Sequence, residues 1–223
     1  MNKAILACVL AASVGLALGG TATAAETGAM AAHAQSANGQ MQAMNWFGGP
    51  IYDGAPALKA TAALVRAGGG AGNFSFATAL VSMLGEKTVH AEVAKLTGQY
   101  GKEAVDNFIA GMDFAVKDGL KRATEAGVKL PEAPANLKGV KLAKTLVTAG
   151  TAPDGTFWSG YLFDHALSHP IHDQVMVDID AKYGHTADAK THYILNQAMY
   201  DVAQALDMTE VKRPGRVKLP AAD

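Results

Sequence analysis

Apolar residues recur at helical spacing through most of the chain beyond residue 55, and glycine or proline closes each run. Pro56 opens a first helix that ends at Gly68, and Gly68-Gly69-Gly70-Ala71-Gly72 reads as a loop. Asn73 or Ser75 is placed to cap a second helix, which stops at Gly85. Thr88 is placed to cap a third, running to Tyr100. Val105, Phe108, Met112, Val116 and Leu120 share one face of a long helix expected over 102–126. After Pro131 and Pro134 the pattern restarts. It predicts helices over 137–149, 157–168, 171–183 and from Thr186 to Met208. Pro153-Asp154-Gly155 is a turn, and Pro170 stands where a first helical position would fall. The residues from Lys212 onward read as a loose tail. No alternating run is long enough to compete as a strand, except a few residues of that tail.

The pattern occurs twice. Leu64-Val65-Arg66-Ala67-Gly68 returns as Leu146-Val147-Thr148-Ala149-Gly150. Phe74 matches Phe157, Leu84 matches Leu167, Val89-His90 matches Ile171-His172, and Tyr100-Gly101 matches Tyr183-Gly184. The offset stays at 82 or 83 residues throughout. The expected fold is therefore all-α, a multi-helix bundle of two similar helical repeats about a pseudo-twofold axis. The expected division is 56–127 for the first repeat, 128–137 for a linker, 138–208 for the second repeat and 209–223 for the tail.

The N-terminus carries a different signal. Lys3, the apolar stretch from Ile5 to Leu18 and the small residues Ala22-Thr23-Ala24 read as an export signal over 1–24. Residues 25–55 follow as a flexible segment. The one cysteine, Cys8, lies within the signal, so the processed chain has no thiol ligand and no disulfide. These features point to a periplasmic or secreted bacterial protein without a transmembrane anchor once the signal is removed. With 19 basic and 20 acidic residues and no basic stripe, nucleic-acid binding is not expected. The glycine run at 68–72 lacks the spacing and the following Lys-Ser/Thr of a phosphate loop.

Candidate chemistry concentrates in the second repeat. His165, His169 and His172 fall in one short stretch, and His192 lies on the last helix among Leu195, Met199 and Val202. The first repeat has only His90 at a matching position. Imidazole suits zinc, copper, nickel or iron, and burying several unpaired histidines is costly. The level of the helices places His172 nearer Asn196 than His192, which makes His192 the weaker fourth ligand. Asp164, Asp173, Asp188 and Asn196 are candidates for orienting the imidazoles. The expectation is an exported helical protein binding a transition metal or a non-covalent haem through His165, His169, His172 and His192. A metal-dependent hydrolase using the same cluster, with Asp173 or Asp188 as base, is one alternative. A cofactor-free binding or structural protein is the other.

Overall fold

The computed structural model describes residues 55–167 and 169–215, with side chains described outside 55–57 and 164–170. The expected export signal, and the expected flexible segment up to residue 54, lie outside the described residues. Eight α-helices account for most of what is described: α1 (Ala55–Ala67), α2 (Phe76–Leu84), α3 (Glu86–Tyr100), α4 (Lys102–Glu125), α5 (Gly139–Ala149), α6 (Ser159–Leu167), α7 (His169–Tyr183) and α8 (Ala187–Ala205). Among the described residues there is no strand, only two isolated bridges, Thr151 with Phe157 and Thr156 with Lys212. The all-α expectation holds. No described helix is long and apolar enough to cross a membrane.

The local rules account for most boundaries. Ser75 caps α2, its hydroxyl accepting the Thr78 N–H at 3.3 Å. Gly85 and Gly101 take positive φ at the junctions into α3 and α4. Three boundaries differ from expectation. α3 begins at Glu86, so Thr88 lies inside it; Gly85 turns the chain so sharply that the next residue is already helical. Phe157 is not helical but fully buried, and α6 starts two residues later. α7 begins at His169, so Pro170 falls at its second position.

The core is continuous and helix-lined. α4 contributes Val105, Phe108, Met112, Ala115, Val116 and Leu120, one face along its whole length. It packs against α8, α7 and α3, while α5 packs against α1, α2, α6 and α8. Gly111 lets α4 and α8 approach closely: a Cβ there would stand 3.3 Å from Thr191 Oγ1.

Two phenylalanines plug the core in the same way. Phe74 is 1 % exposed and Phe157 0 %. Phe74 lies so close to Gly68 that a Cβ would come within 2.4 Å of its ring, and Phe157 would stand 2.3 Å from a Cβ on Gly150. The Ser75 N–H then donates to the Gly68 carbonyl at 2.9 Å, and the Trp158 N–H to the Gly150 carbonyl at 2.9 Å. Gly150 has an ordinary helical φ of −92°, so any effect of a methyl there is steric. Gly150→Ala is expected to cost about 1–3 kcal/mol by overpacking. Urea denaturation measures it, and an unchanged midpoint would show that Phe157 can move aside.

The tail departs from expectation. Val211 and Pro214 are buried. The Lys212 N–H donates to the Gly155 carbonyl at 2.8 Å, and its ammonium to the Asp154 carbonyl at 2.6 Å. Arg213 donates to Gln197 Oε1 at 3.1 Å. The turn at 153–155 presents carbonyls with no helical partner, and the tail supplies their donors. Residues 211–214 are thus a strap rather than a loose end.

Candidate functional site

Three helices of the second half, α6, α7 and α8, meet at a pair of imidazoles. Ser159 is the first residue of α6 and is 1 % exposed. The first N–H groups of a helix have no partner within it. Asn196, on α8, supplies one: its Oδ1 accepts the Ser159 N–H at 2.8 Å. This bond seats the start of α6 against α8, one turn beyond His192. The Ser159 hydroxyl then lies 2.7 Å from His192 Nδ1 and 3.3 Å from the His192 carbonyl oxygen.

His172, on α7, is 7 % exposed, and its Nε2 lies 3.4 Å from His192 Nε2. Phe163, one turn along α6 from Ser159, holds both rings. It stacks on His172 with centroids 5.3 Å apart and an interplanar angle of 22°. It meets His192 edge-on at 5.6 Å and 83°. The two imidazoles are near-perpendicular at 77°.

The hydroxyl contacts point to a protonation pattern. Ser159 has one proton to give and lone pairs to accept with. Both contacts become hydrogen bonds when His192 Nδ1–H donates to Oγ and Oγ–H donates to the His192 carbonyl. In that arrangement His192 Nε2 is a bare lone pair aimed at His172. An outer hydrogen bond that fixes the tautomer in this sense is the usual support of a metal-binding histidine.

The predicted site residues are distributed as follows. His172 and His192 are brought together, with His192 directly against His172 rather than a turn away from its level. Asn196 holds the α6 backbone through the Ser159 N–H. Asp173 follows His172 and is half-buried. Asp188 sits at the α7–α8 turn: its N–H donates to Asp180 Oδ1 at 2.9 Å and its own Oδ1 accepts the Ala189 N–H. His165 lies within α6 and His169 opens α7. Their side chains, and that of Asp164, lie outside those described. Among the described residues no group of three or more His, Cys, Asp or Glu converges to hold a metal ion. His90 is exposed beside Glu86, at 4.0 Å.

Ser159 and Phe163 escaped the sequence reading, although a signal for them was present. α2 and α6 are both nine residues long, α3 and α7 both fifteen, and each pair starts 83 residues apart. At that spacing Ser159, Phe163, His172 and His192 stand opposite Phe76, Leu80, Val89 and Ile109. Phe76 and Val89 are buried and apolar, and Leu80 and Ile109 pack against the core. At the spacing of the helix starts His172 stands opposite Val89, whereas the sequence landmarks pair it with His90. The landmarks up to Gly68 and Gly150 stand 82 apart, and the stretch from Gly150 to Phe157 is one residue longer than that from Gly68 to Phe74, so the spacing beyond it is 83. Asn196 stands 83 residues beyond Asp113, whose Oδ1 accepts the Phe76 N–H at 2.5 Å, as Asn196 accepts that of Ser159.

Comparison of the chain with protein-family models, with curated proteins and with solved structures finds no match.

Proposed function

We propose that this is an exported protein of two duplicated helical repeats, the second of which carries a transition-metal site built on His172 and His192. The observation that carries the reading is that Val89 and Ile109 give way, 83 residues on, to two histidines in contact, His172 buried and His192 half-buried. The matched helix lengths, the two Gly–Phe plugs and the paired side-chain oxygen acceptors of Asp113 and Asn196 support the duplication. A fold that packs valine and isoleucine in one half does not need imidazoles in the other.

The spacing supports a metal. Two nitrogens on one tetrahedral ion at about 2.0–2.1 Å are about 3.3–3.4 Å apart. The observed separation is 3.4 Å. Haem is less well supported: two axial imidazoles stand about 4 Å apart, on opposite sides of a macrocycle, given iron–nitrogen bonds similar in length to those of zinc. His165 and His169 are the proposed further ligands, because they sit on the same two helices just before His172. Zinc, copper, nickel and iron all suit the donor set. A hydrolase is supported less than binding alone, since Asp188 is engaged at the α7–α8 turn.

A cofactor-free reading has one observation in its favour. The Nε2–Nε2 contact can be served by a single proton, donated by His172 to the bare nitrogen of His192. Metal analysis of protein purified from its native compartment separates the two. One bound metal ion per chain, with histidine nitrogen in its X-ray absorption spectrum, is the expected result. Protein that stays metal-free after incubation with zinc, copper, nickel and iron would leave the proton-sharing pair. N-terminal sequencing of the exported form tests the other part, with processing expected after Ala24.

A further inference from the structure

An apolar cavity of about 60 Å³ lies between the two halves, bordered by α1, α2, α4, α5, α6 and α8. We infer that it is a binding site for a small uncharged apolar molecule, of the size of a dissolved gas or a short hydrocarbon.

Its position is the first argument. Leu80 and Phe163, Met112 and Leu195, and Val116 and Met199 all line it, and each pair stands 83 residues apart. The cavity thus lies on the seam where equivalent surfaces face each other, a place where helical bundles form ligand sites. Its chemistry is the second. Among the described lining residues Thr61 is the one polar side chain, and it already has a partner. A buried water needs about two to four polar partners, so this space excludes water although its volume exceeds what one water requires. An apolar occupant loses nothing by entering. Size is the third argument. A dry cavity of about 150 Å³ admits benzene, so one of less than half that volume selects smaller molecules. Methionines in the wall are flexible and polarizable, and adapt to such an occupant.

The cavity is one ring away from the imidazole pair. Phe163 lines it and stacks on His172. An occupant pressing on Phe163 reaches both histidines through one ring. This inference does not depend on the metal.

The test uses the full chain with methionine methyls labelled in carbon-13 and xenon gas as the probe. Saturable shifts are expected at Met83, Met112 and Met199, which line the cavity, and at the His172 and His192 ring resonances. Met176 and Met208, buried elsewhere, should not move. Ala143→Leu fills the space from α5 and should abolish the xenon shifts while the helical circular dichroism is kept. Val202→Leu, filling from α8, serves where Ala143→Leu does not fold. Absence of saturable shifts in the wild type would overturn the proposal, as would equal shifts in a folded, filled variant. Benzene shifts as large as those of xenon would overturn the size limit.

Discussion

The double variant His172→Val, His192→Ile should fold and bind no metal. It installs the residues found 83 positions earlier, where Val89 is 6 % exposed and Ile109 packs against the core. Replacing one buried and one half-buried imidazole with apolar groups reduces a desolvation cost. Stability is therefore expected to be unchanged or higher by about 1 kcal/mol, since replacing both partners of a buried polar contact with apolar groups is often neutral or favourable. Metal affinity is expected to vanish. Ser159→Ala should give a graded effect, about 10–100-fold weaker binding, the range for losing a group that orients a ligand. Its backbone bond to Asn196 survives the change, so α6 stays seated. Calorimetric metal titration and urea denaturation on the same samples check both. If the double variant unfolds, the histidines hold the fold together and the functional reading of the exchange falls.

Glu92→Gln is expected to stabilise the protein at pH 8 and to leave it nearly unchanged at pH 4. Glu92 is half-buried on α3, facing Asp201 on α8, and its Oε1 is buried without a hydrogen-bond partner. Burial, then the neighbouring Asp201 carboxylate, push the Glu92 carboxyl from 4.5 up to about 7, while Lys95 pulls the other way. Lys95 bridges Asp201 at 2.5 Å, Gln197 donates to Asp201 at 2.8 Å, and Gln197 in turn receives Arg213 from the strap. Tyr100, on α3, also lies within the electrostatic reach of Glu92, Asp201 and Arg213. The sign follows from the raised value in the folded state. The unfolded chain releases the Glu92 proton first, so stability is fully present below about pH 4.5 and declines as pH rises through about 7. Asp180 adds to the same trend at lower pH. Burial and Asp188 push it from 3.8 to about 6 against the pull of the Asp188 N–H and His185.

A shift of this size would be worth about 3 kcal/mol for a group fully shielded from water. Glu92 is only half-buried, and solvent screening brings the expectation to about 1 kcal/mol. For a domain of this length that is about 2–4 °C in Tm. Thermal melts of wild type and Glu92→Gln at pH 4 and pH 8 decide it. A variant that melts with the wild type at pH 8, or is destabilised equally at both values, would show that Glu92 does not hold a proton in the folded state.

Helix identity was legible along the chain because its determinants are local. The 3.6-residue period places Val105, Phe108, Met112 and Val116 on one face whatever packs against them. Gly85, Gly101 and Gly184 mark helix boundaries by taking positive φ, which requires no knowledge of neighbours. The duplicated landmarks also come from chain order alone, and they directed attention to the half that carries the imidazole pair. Boundaries were less legible where a tertiary contact competes with propensity. Phe157 could open a helix by its pattern, but the space beside Gly150 draws it into the core and delays α6 to Ser159.

The site itself depended on packing between helices. Ser159, His172 and His192 are far apart in sequence, and a rise of 1.5 Å per residue ranks levels only for helices that are parallel and aligned. Small differences in how α6, α7 and α8 cross decide whether two nitrogens touch. Those differences arise from non-local contacts such as the Asn196 cap and the Phe163 wedge. The strap is the same case: Lys212 and Pro214 read as tail residues until the Gly155 carbonyl and the α8 surface are in place to receive them. Periodicity and turn chemistry are properties of neighbouring residues and can be read in order. Which imidazole nitrogen meets which partner depends on distances of a few ångströms between elements, and only the folded chain sets those.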